Sequence, residues 1–486
     1  MGKIKIAAWS MGLILLVGSP IVGPIGFSEV AVAQIVTVDQ RKAEADLLIQ
    51  QGSLQFYVSQ FEAALQSWQN ALKLYRELKD RRGEGNAIGN LGLAYRNLGD
   101  YPKAIEFHEQ SLVIAREIKS RHDEALSLGS LGNTYYYLGN YPKMIQYHEQ
   151  RLAIAREIKD RLGEGQSLGS LGIAYRSLGN YPKAIELYEQ TLAIAREIES
   201  RIGEGASLGN LGNVYNSLAK YPKAIEYHKQ HLAIAREIED RPGEGNALSN
   251  LGDAYDSLGD YAKAIEFHEQ SLAIFRELKD RFGEGQSLGN LGLAYLSLGN
   301  YPKAIEFQKQ SLAIAREIKD RLGEGKALGN LGNAYRELGN YPKAIEFHEQ
   351  ILAIFRELKD RLGEGKTLGN LGLAYLSLGN YPKAIEFQKQ SLAIARELKY
   401  RDGEQLALHN MASAFEKQKR LESAIDYYQQ AVVVIESIRQ ENRKLDPTIQ
   451  ASYTKTVTDT YQNLAKLLIA QGRREKAQKV LDLLKR

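Results

Sequence analysis

The chain has 486 residues, 44% of them hydrophobic and 25% charged, with a formal net charge of +4 from 63 basic and 59 acidic side chains. The two signs are interspersed, and no basic block is long enough to grip a phosphate backbone, which disfavours nucleic acid as a partner. The absence of cysteine excludes disulfides, thiolate metal sites, cysteine nucleophiles and a lipidated cysteine.

Residues 1–33 have the layout of an export signal. Lys3 and Lys5 precede an apolar run, Ile6 to Val17, that is too short for a membrane span, and Ala31-Val32-Ala33 place small residues where a signal peptidase reads. Cleavage after Ala33 predicts an exported chain beginning at Gln34, periplasmic or secreted, with no membrane span in its mature form. An uncleaved anchor is the alternative, since Ile6 to Phe27 stays apolar although Gly and Pro interrupt it.

From there a forty-residue tile takes over. Tyr101, Tyr141, Tyr181, Tyr221, Tyr261, Tyr301, Tyr341 and Tyr381 each open a near-copy of one sequence. Gly289 to Glu317 recurs letter for letter as Gly369 to Glu397, and residues 261–320 differ from 341–400 at seven positions. Phe61 and Leu421 hold the same register in degenerate form, as end copies facing water should. Stacked structural tiles explain such copying better than a duplicated active site.

Each tile reads as two helices. In the first, Ile88, Leu91, Gly92, Tyr95 and Leu98 fall on one stripe of a 3.6-residue helix. Gly99 suits the left-handed turn that ends it, Asp100 can cap the next helix, and Pro102 sits near that helix's first position. Ala104, Ile105, Leu112 and Ala115 form the buried side of the second helix. The Asp-Arg-x-Gly-Glu-Gly segment, Asp160 to Gly165 for example, closes one tile and starts the next. Interior glycines such as Gly89 and Gly92 would each cost an isolated helix about 1 kcal/mol against alanine. Their recurrence predicts helices that approach too closely there for a side chain.

The runs Asn330-Leu331-Gly332-Asn333-Ala334-Tyr335 and Leu338-Gly339-Asn340-Tyr341-Pro342-Lys343-Ala344-Ile345, repeated in fixed register over residues 40–440, resemble the tetratricopeptide repeat. A forty-residue length, against the usual 34 or so, is similar to the long-tile subgroup of Pins/LGN-type adaptors and kinesin light chains. Glu149 to Glu157 resembles the former in particular. The resemblance implies an all-α solenoid, a right-handed superhelix of stacked antiparallel helix pairs whose first helices line a concave groove for extended or helical peptides. About ten repeats over 34–440 and C-terminal helices over 441–486 are expected. After Asp446-Pro447, Ser452 to Lys485 reads as one long helix and a shorter one after Gly472. It resembles the connector that joins such arrays to caspase-like CHAT domains in bacteria, so the chain is expected to be the array without its effector. A solvating cap on the last repeat is the alternative reading.

No catalytic constellation emerges. His108, His148, His228, His268 and His348 share one register of the second helix, where Tyr188, Gln308 and Gln388 replace them. Residues forty apart lie a whole tile apart and cannot converge on one metal or proton, so packing or a surface role is expected. His228 and His231 are i, i+3 neighbours with no third ligand in view. Glu106 and Glu109 with Lys103 and Arg116 read as a solvated face with local pairing. Gly83-Glu84-Gly85 is no phosphate loop, since no strand precedes it and no Gly-Lys-Ser/Thr follows. No enzyme, cofactor or metal is expected.

Opposite the apolar stripe lie Asn86, Gly89, Asn90, Leu93 and Arg96. While Leu91, Leu131, Leu171, Leu211, Leu251, Leu291, Leu331 and Leu371 hold the stripe, the Leu93 register changes to Asn133, Ile173, Asn213, Asp253, Leu293, Asn333 and Leu373. The Arg96 register changes to Tyr136, Arg176, Asn216, Asp256, Leu296, Arg336 and Leu376. Either these positions drift, or they select a ligand. The leucines are covered either by a ligand or by a neighbouring first helix. Asn90, Asn210, Asn250, Asn290, Asn330, Asn370 and Asn410, with Ser130 and Ser170 interrupting, resemble the asparagine ladder by which some such superhelices hold a peptide backbone; an amide donates and accepts at once.

The expectation is therefore a non-catalytic scaffold for a protein or peptide, bound in the groove. Arg96, Arg176 and Arg336 would take carboxylates, Asp253 and Asp256 a basic residue, and the leucine pairs apolar anchors. The alternative is a regulatory scaffold whose separately encoded effector, a CHAT-type protease-like domain, docks at the C-terminal helices.

Overall fold

The computed structural model describes residues 28–441 and 447–484, with side chains from 37–441 and 453–484. The apolar run Ile6 to Val17 with Lys3 and Lys5, like Asp446, lies outside the described residues. Among those described, every element is a helix, and the chain divides into two compact units, one ending at Asp160 and the other beginning at Arg161. No described helix is long and apolar enough to cross a membrane.

The first unit holds α1 (Ser28–Tyr57), α2 (Phe61–Leu78), α3 (Arg81–Asn97), α4 (Tyr101–Glu117), α5 (Arg121–Tyr137) and α6 (Tyr141–Glu157). The second holds α7 (Arg161–Ser177), α8 (Tyr181–Glu197), α9 (Arg201–Ser217), α10 (Tyr221–Glu237), α11 (Arg241–Leu258), α12 (Tyr261–Leu278), α13 (Arg281–Ser297) and α14 (Tyr301–Glu317). It continues through α15 (Arg321–Glu337), α16 (Tyr341–Glu357), α17 (Arg361–Ser377), α18 (Tyr381–Glu397), α19 (Arg401–Lys417), α20 (Leu421–Glu441), α21 (Pro447–Ala470) and α22 (Arg474–Leu483). Odd and even helices pair within each tile, and within each unit consecutive tiles stack.

Helix ends follow local chemistry. Asp80 accepts from the Gly83 amide at 2.9 Å and Asp100 from the Lys103 amide at 3.2 Å, satisfying donors that the first turn leaves orphaned. Gly99, at φ +80°, makes the turn between them. That turn corrects the predicted stripe. Leu98 falls outside α3 as its C-cap and is exposed, while Ala94, one turn earlier, is fully buried. The turn after each second helix from α2 to α18 is left-handed without glycine, at Lys79, Lys119 and Lys319 for instance.

Tile packing explains the glycines of the Gly92 register, whereas at Gly89 and Gly169 the nearest atoms stand 3.3 Å and 3.7 Å from a Cβ and the space is less tight. A Cβ on Gly92 would sit 2.5 Å from the His108 ring, and one on Gly252 would sit 2.4 Å from His268. The histidine register is thus buried between helices, and glycine on the facing helix is the space its ring occupies. Where Gln308 replaces histidine, its Nε2 donates to the Gly289 carbonyl at 2.7 Å. Tyr95 stacks on Phe107 at 5.2 Å, with the Lys103 ammonium 5.1 Å above the tyrosine ring, a motif that Tyr295, Phe307 and Lys303 repeat in the second unit.

The charged face differs from the sequence expectation. Arg116 does not pair with Glu106 or Glu109 on its own helix; its Nε reaches Glu124 Oε1 on α5 at 2.8 Å. Arg121 closes the same carboxylate from the other side at 2.6 Å and also holds Glu157. In the second unit Glu324 sits likewise between Arg316 at 2.8 Å and Arg321, which also holds Glu357. These carboxylates are nearly buried at the start of a first helix, where the dipole and two guanidinium groups favour their charge. The two arginines hold Glu124 and Glu324 below the usual carboxylate range against the opposing effect of burial.

The C-terminal helices close the last tile. Tyr461, Leu464 and Leu468 of α21 are buried in one apolar cluster with Ile435 of α20 and Met411 of α19. Tyr461 donates to Glu436 at 2.5 Å, and His409 shares a hydrogen bond with Thr460 at 2.9 Å.

Candidate functional site

A first helix buries Ala87, Ile88, Leu91 and Ala94, so its 3.6-residue period turns Asn86, Asn90 and Leu93 to the other side. In the first unit this face opens on a cavity of about 680 Å³. Lys42 and Asp46 on α1, Asn90 and Leu93 on α3, and Leu126 and Ser130 on α5 form its walls. Its floor is α4, with Ser111 hydrogen-bonded to Ser127 at 3.1 Å and His108 buried with Nε2 unpartnered. Burial, with Arg96 nearby, lowers His108 to about 4, so the ring is neutral at neutral pH.

In the second unit, a cavity of about 360 Å³ between α9 and α11 is lined by Asn210, Asn213, Asn246 and Asn250, with His231 at its floor. A further cavity of about 280 Å³ lies between α17 and α19 and includes Asn370, Leu373 and Asn410. The structure therefore brings part of the predicted asparagine row into cavities. Asn90, Asn210, Asn250, Asn290, Asn330 and Asn370 are all partly exposed. Among the described residues, only Asn290 of these six uses its amide internally, donating to Asp253 at 3.1 Å and Ser249 at 3.4 Å.

The charged candidates fare unequally. Arg176 keeps its guanidinium unpaired among the described residues. Arg96 leans over the Tyr137 ring at 5.8 Å. Arg336 is bound to Glu337 at 2.7 Å through one guanidinium nitrogen, while its Nε is buried without a partner. No lysine or arginine among the described residues pairs with Asp253 or Asp256, and one oxygen of Asp256 is buried without a partner. Burial raises both carboxyl groups above the ordinary range, and the Asp256 charge adds to the effect on Asp253. The Asp253 side chain remains 48% exposed, so water limits the rise there.

The leucine pairs divide. Leu293 is exposed and Leu373 lines a cavity, whereas Leu296 and Leu376 pack against the apolar core. Neighbouring helices cover the latter two, which answers the open question of what shields them. Asn133, Asn333 and Asn216 are partly exposed on the same face, and Tyr136 joins Tyr137 and Tyr141 in an exposed aromatic cluster. Sequence reasoning weighed His231 only as a metal ligand and missed Lys42 and Asp46; all three enter the face through tile stacking. The shared-register histidines stand in separate tiles, and no group of three candidate ligands able to hold a metal exists among the described residues.

A family model described as Tetratricopeptide repeat matches residues 44–117, 123–197, 204–277, 283–357, 323–397 and 363–437. No curated protein matches the chain. Among solved structures, it is similar to the Signal Transduction ATPase with Numerous Domains protein with a tetratricopeptide repeat sensor from Pyrococcus horikoshii. That similarity has a TM-score of 0.53 at 18% identity, over 74% of this chain and 55% of that one. It is similar also to a Rap protein complexed with Competence and Sporulation Factor, at a TM-score of 0.51 and 17% identity, over 74% of this chain and 99% of that one. A kinesin light chain repeat structure from Podosopora anserina matches at 26% identity over 39% of this chain and 95% of its own, with a TM-score of 0.34.

Proposed function

Because the chain belongs to the tetratricopeptide repeat family, we propose that it is a non-catalytic scaffold that holds an extended protein or peptide along the face of its first helices. The observation that carries this reading is the row Asn210, Asn250, Asn330 and Asn370 in the second unit, with Asn90 at the same register in the first. These are amides in one register, partly enclosed, with no internal hydrogen bond among the described residues. Each can donate to a carbonyl and accept from an N–H of a bound backbone, whatever the sequence bound. Selectivity then falls to the varied neighbours: the carboxylates Asp253 and Asp256, which no lysine or arginine among the described residues pairs, for a basic side chain, Arg176 for an acidic one, and Leu293 and Leu373 for apolar ones. A Rap protein of similar fold is solved in complex with a factor, and that fold-level likeness supports a similar use here. Export, with cleavage after Ala33, belongs to the proposal and places the partner outside the cytoplasm.

The test is affinity capture from envelope and soluble fractions with wild-type bait and with bait carrying Asn210, Asn250, Asn330 and Asn370 changed to alanine, at equal helicity. Each lost amide bond to a ligand backbone weakens binding by about 1 kcal/mol, so four together give on the order of a thousandfold. Partners held equally by both folded baits refute the groove.

A further inference from the structure

The tiles are so alike that a departure from their own consensus is informative, and the largest sits at α19. Asp or Ser caps α3, α5, α9, α11, α13, α15 and α17 through its side chain. At α19 the cap position is Tyr400, which makes no capping hydrogen bond. Its ring lies along the first turn, where a Cβ on Gly403 would come within 2.4 Å of it, and the Lys366 ammonium stands 5.6 Å from its centroid. Six residues on, Leu406 is half exposed where the two preceding tiles carry Lys326 and Lys366. Tyr400 and Leu406 thus replace a carboxylate and an ammonium with two apolar walls of the 280 Å³ cavity, which Leu373, Ile394 and Leu398 complete.

Of the three amides that line this cavity, Asn370 is partly exposed and the other two are buried. Gln388 is 1% exposed, and its Nε2 is committed to the Gly369 carbonyl at 2.9 Å, which leaves its Oε1 without a partner. Asn410 is 5% exposed, and its Nδ2 is likewise without one. A buried acceptor and a buried donor left open are costly unless something completes them. The volume is below the roughly 300–1,000 Å³ of sites for small organic ligands. It suits a single amino-acid residue, which itself offers one N–H and one C=O.

We propose that this pocket is a specificity site for one large aliphatic residue of an extended peptide. The side chain fills the walls formed by Tyr400, Leu406 and Leu373, the residue's N–H donates to Gln388 Oε1, and its carbonyl accepts from Asn410 Nδ2. Lys366, which has no carboxylate partner among the described residues, selects an acidic residue next to it in the ligand. The inference rests on the groove reading above and deepens it, assigning the α17–α19 end of the face to an acidic–aliphatic pair. The α11 carboxylates take a basic residue elsewhere in the ligand.

The experiment uses the full chain and an array of synthetic hexapeptides. The central pair varies: aspartate, serine or lysine first, then leucine, isoleucine, phenylalanine, alanine or lysine. Two variants accompany it. The first, Tyr400→Asp with Leu406→Lys, restores the residues that Asp320 and Lys326 supply in a sister tile, so it is expected to fold at least as well. The second is Asp253→Asn with Asp256→Asn. The expected result is a preference of the wild type for aspartate–leucine over aspartate–alanine by about tenfold, the discrimination ordinary for a hydrophobic pocket. The first variant loses that preference while keeping lysine-containing peptides, which only the second variant loses. An aliphatic preference that survives in the folded first variant, beside a loss of lysine peptides in the second, overturns the pocket and leaves the groove standing. Peptides bound identically by all three proteins, or by none, overturn both.

Discussion

Acidification to pH 5 should destabilise this array through its buried histidines, and replacing the five of the shared register with glutamine should remove most of that sensitivity. His108, His148, His228, His268 and His348 are nearly inaccessible, and burial lowers each to about 4. An unfolded histidine titrates near 6.5. Between those values the unfolded chain binds more protons than the folded one, so stability is full above about pH 6.5 and falls as pH drops toward 4. At pH 5 the loss is about 2 kcal/mol per histidine, hence about 4 kcal/mol over the two in the first unit and about 6 kcal/mol over the three in the second, if additive. Asp253, raised in the folded state, works in the opposite direction and softens the loss around His268, from which it stands 3.7 Å. Glutamine is the control because Gln308 and Gln388 occupy the same register against Gly292 and Gly372. Urea unfolding followed by helicity at pH 7.5 and pH 5.0 reads the effect, with the midpoint of the wild type falling further than that of the five-site glutamine variant, which keeps His231 and His409, also lowered by burial. An equal fall in both proteins refutes the reasoning.

Two glycines one turn apart in α7 should behave oppositely. A Cβ at Gly172 meets the fully buried Tyr188 ring at 2.6 Å, so Gly172→Ala costs about 1–3 kcal/mol, whereas at Gly169 the nearest atom is 3.7 Å away and alanine stabilises by up to about 1 kcal/mol in thermal unfolding. Glu324→Ala leaves Arg316 and Arg321 without their shared carboxylate and should cost about 1–3 kcal/mol in urea unfolding at pH 7. Since that carboxyl is lowered in the folded state, its contribution is present above the ordinary glutamate range and lost below it, so the variant's deficit should shrink toward pH 3. N-terminal sequencing of protein recovered from an expressing bacterial envelope should begin at Gln34; an intact Met1 on membrane-associated protein refutes cleavage.

The sequence by itself determined the tile, its two helices and most of their ends. Those depend on interactions within a few residues: Asp100 with the Lys103 amide, Gly99 at positive φ, and Leu91 one turn from Ile88. Comparing tiles with one another also marked the varied face, because a fixed stripe beside changing positions is visible in linear order. Three features depended on tertiary structure. Arg116 has no carboxylate three or four residues away on its own helix, and only the turn that brings α5 alongside made Glu124 its partner. Leu296 and Leu376 looked outward on a helical wheel, yet both are partly buried against the apolar core, since a wheel shows one helix and not its neighbour. The pocket of Tyr400, Leu406, Gln388 and Asn410 draws on three helices, so its residues met only once the tiles had stacked. Local geometry is written in short spacings, whereas the enclosure that leaves an amide unpaired or a histidine neutral comes from surfaces that touch only in the folded chain.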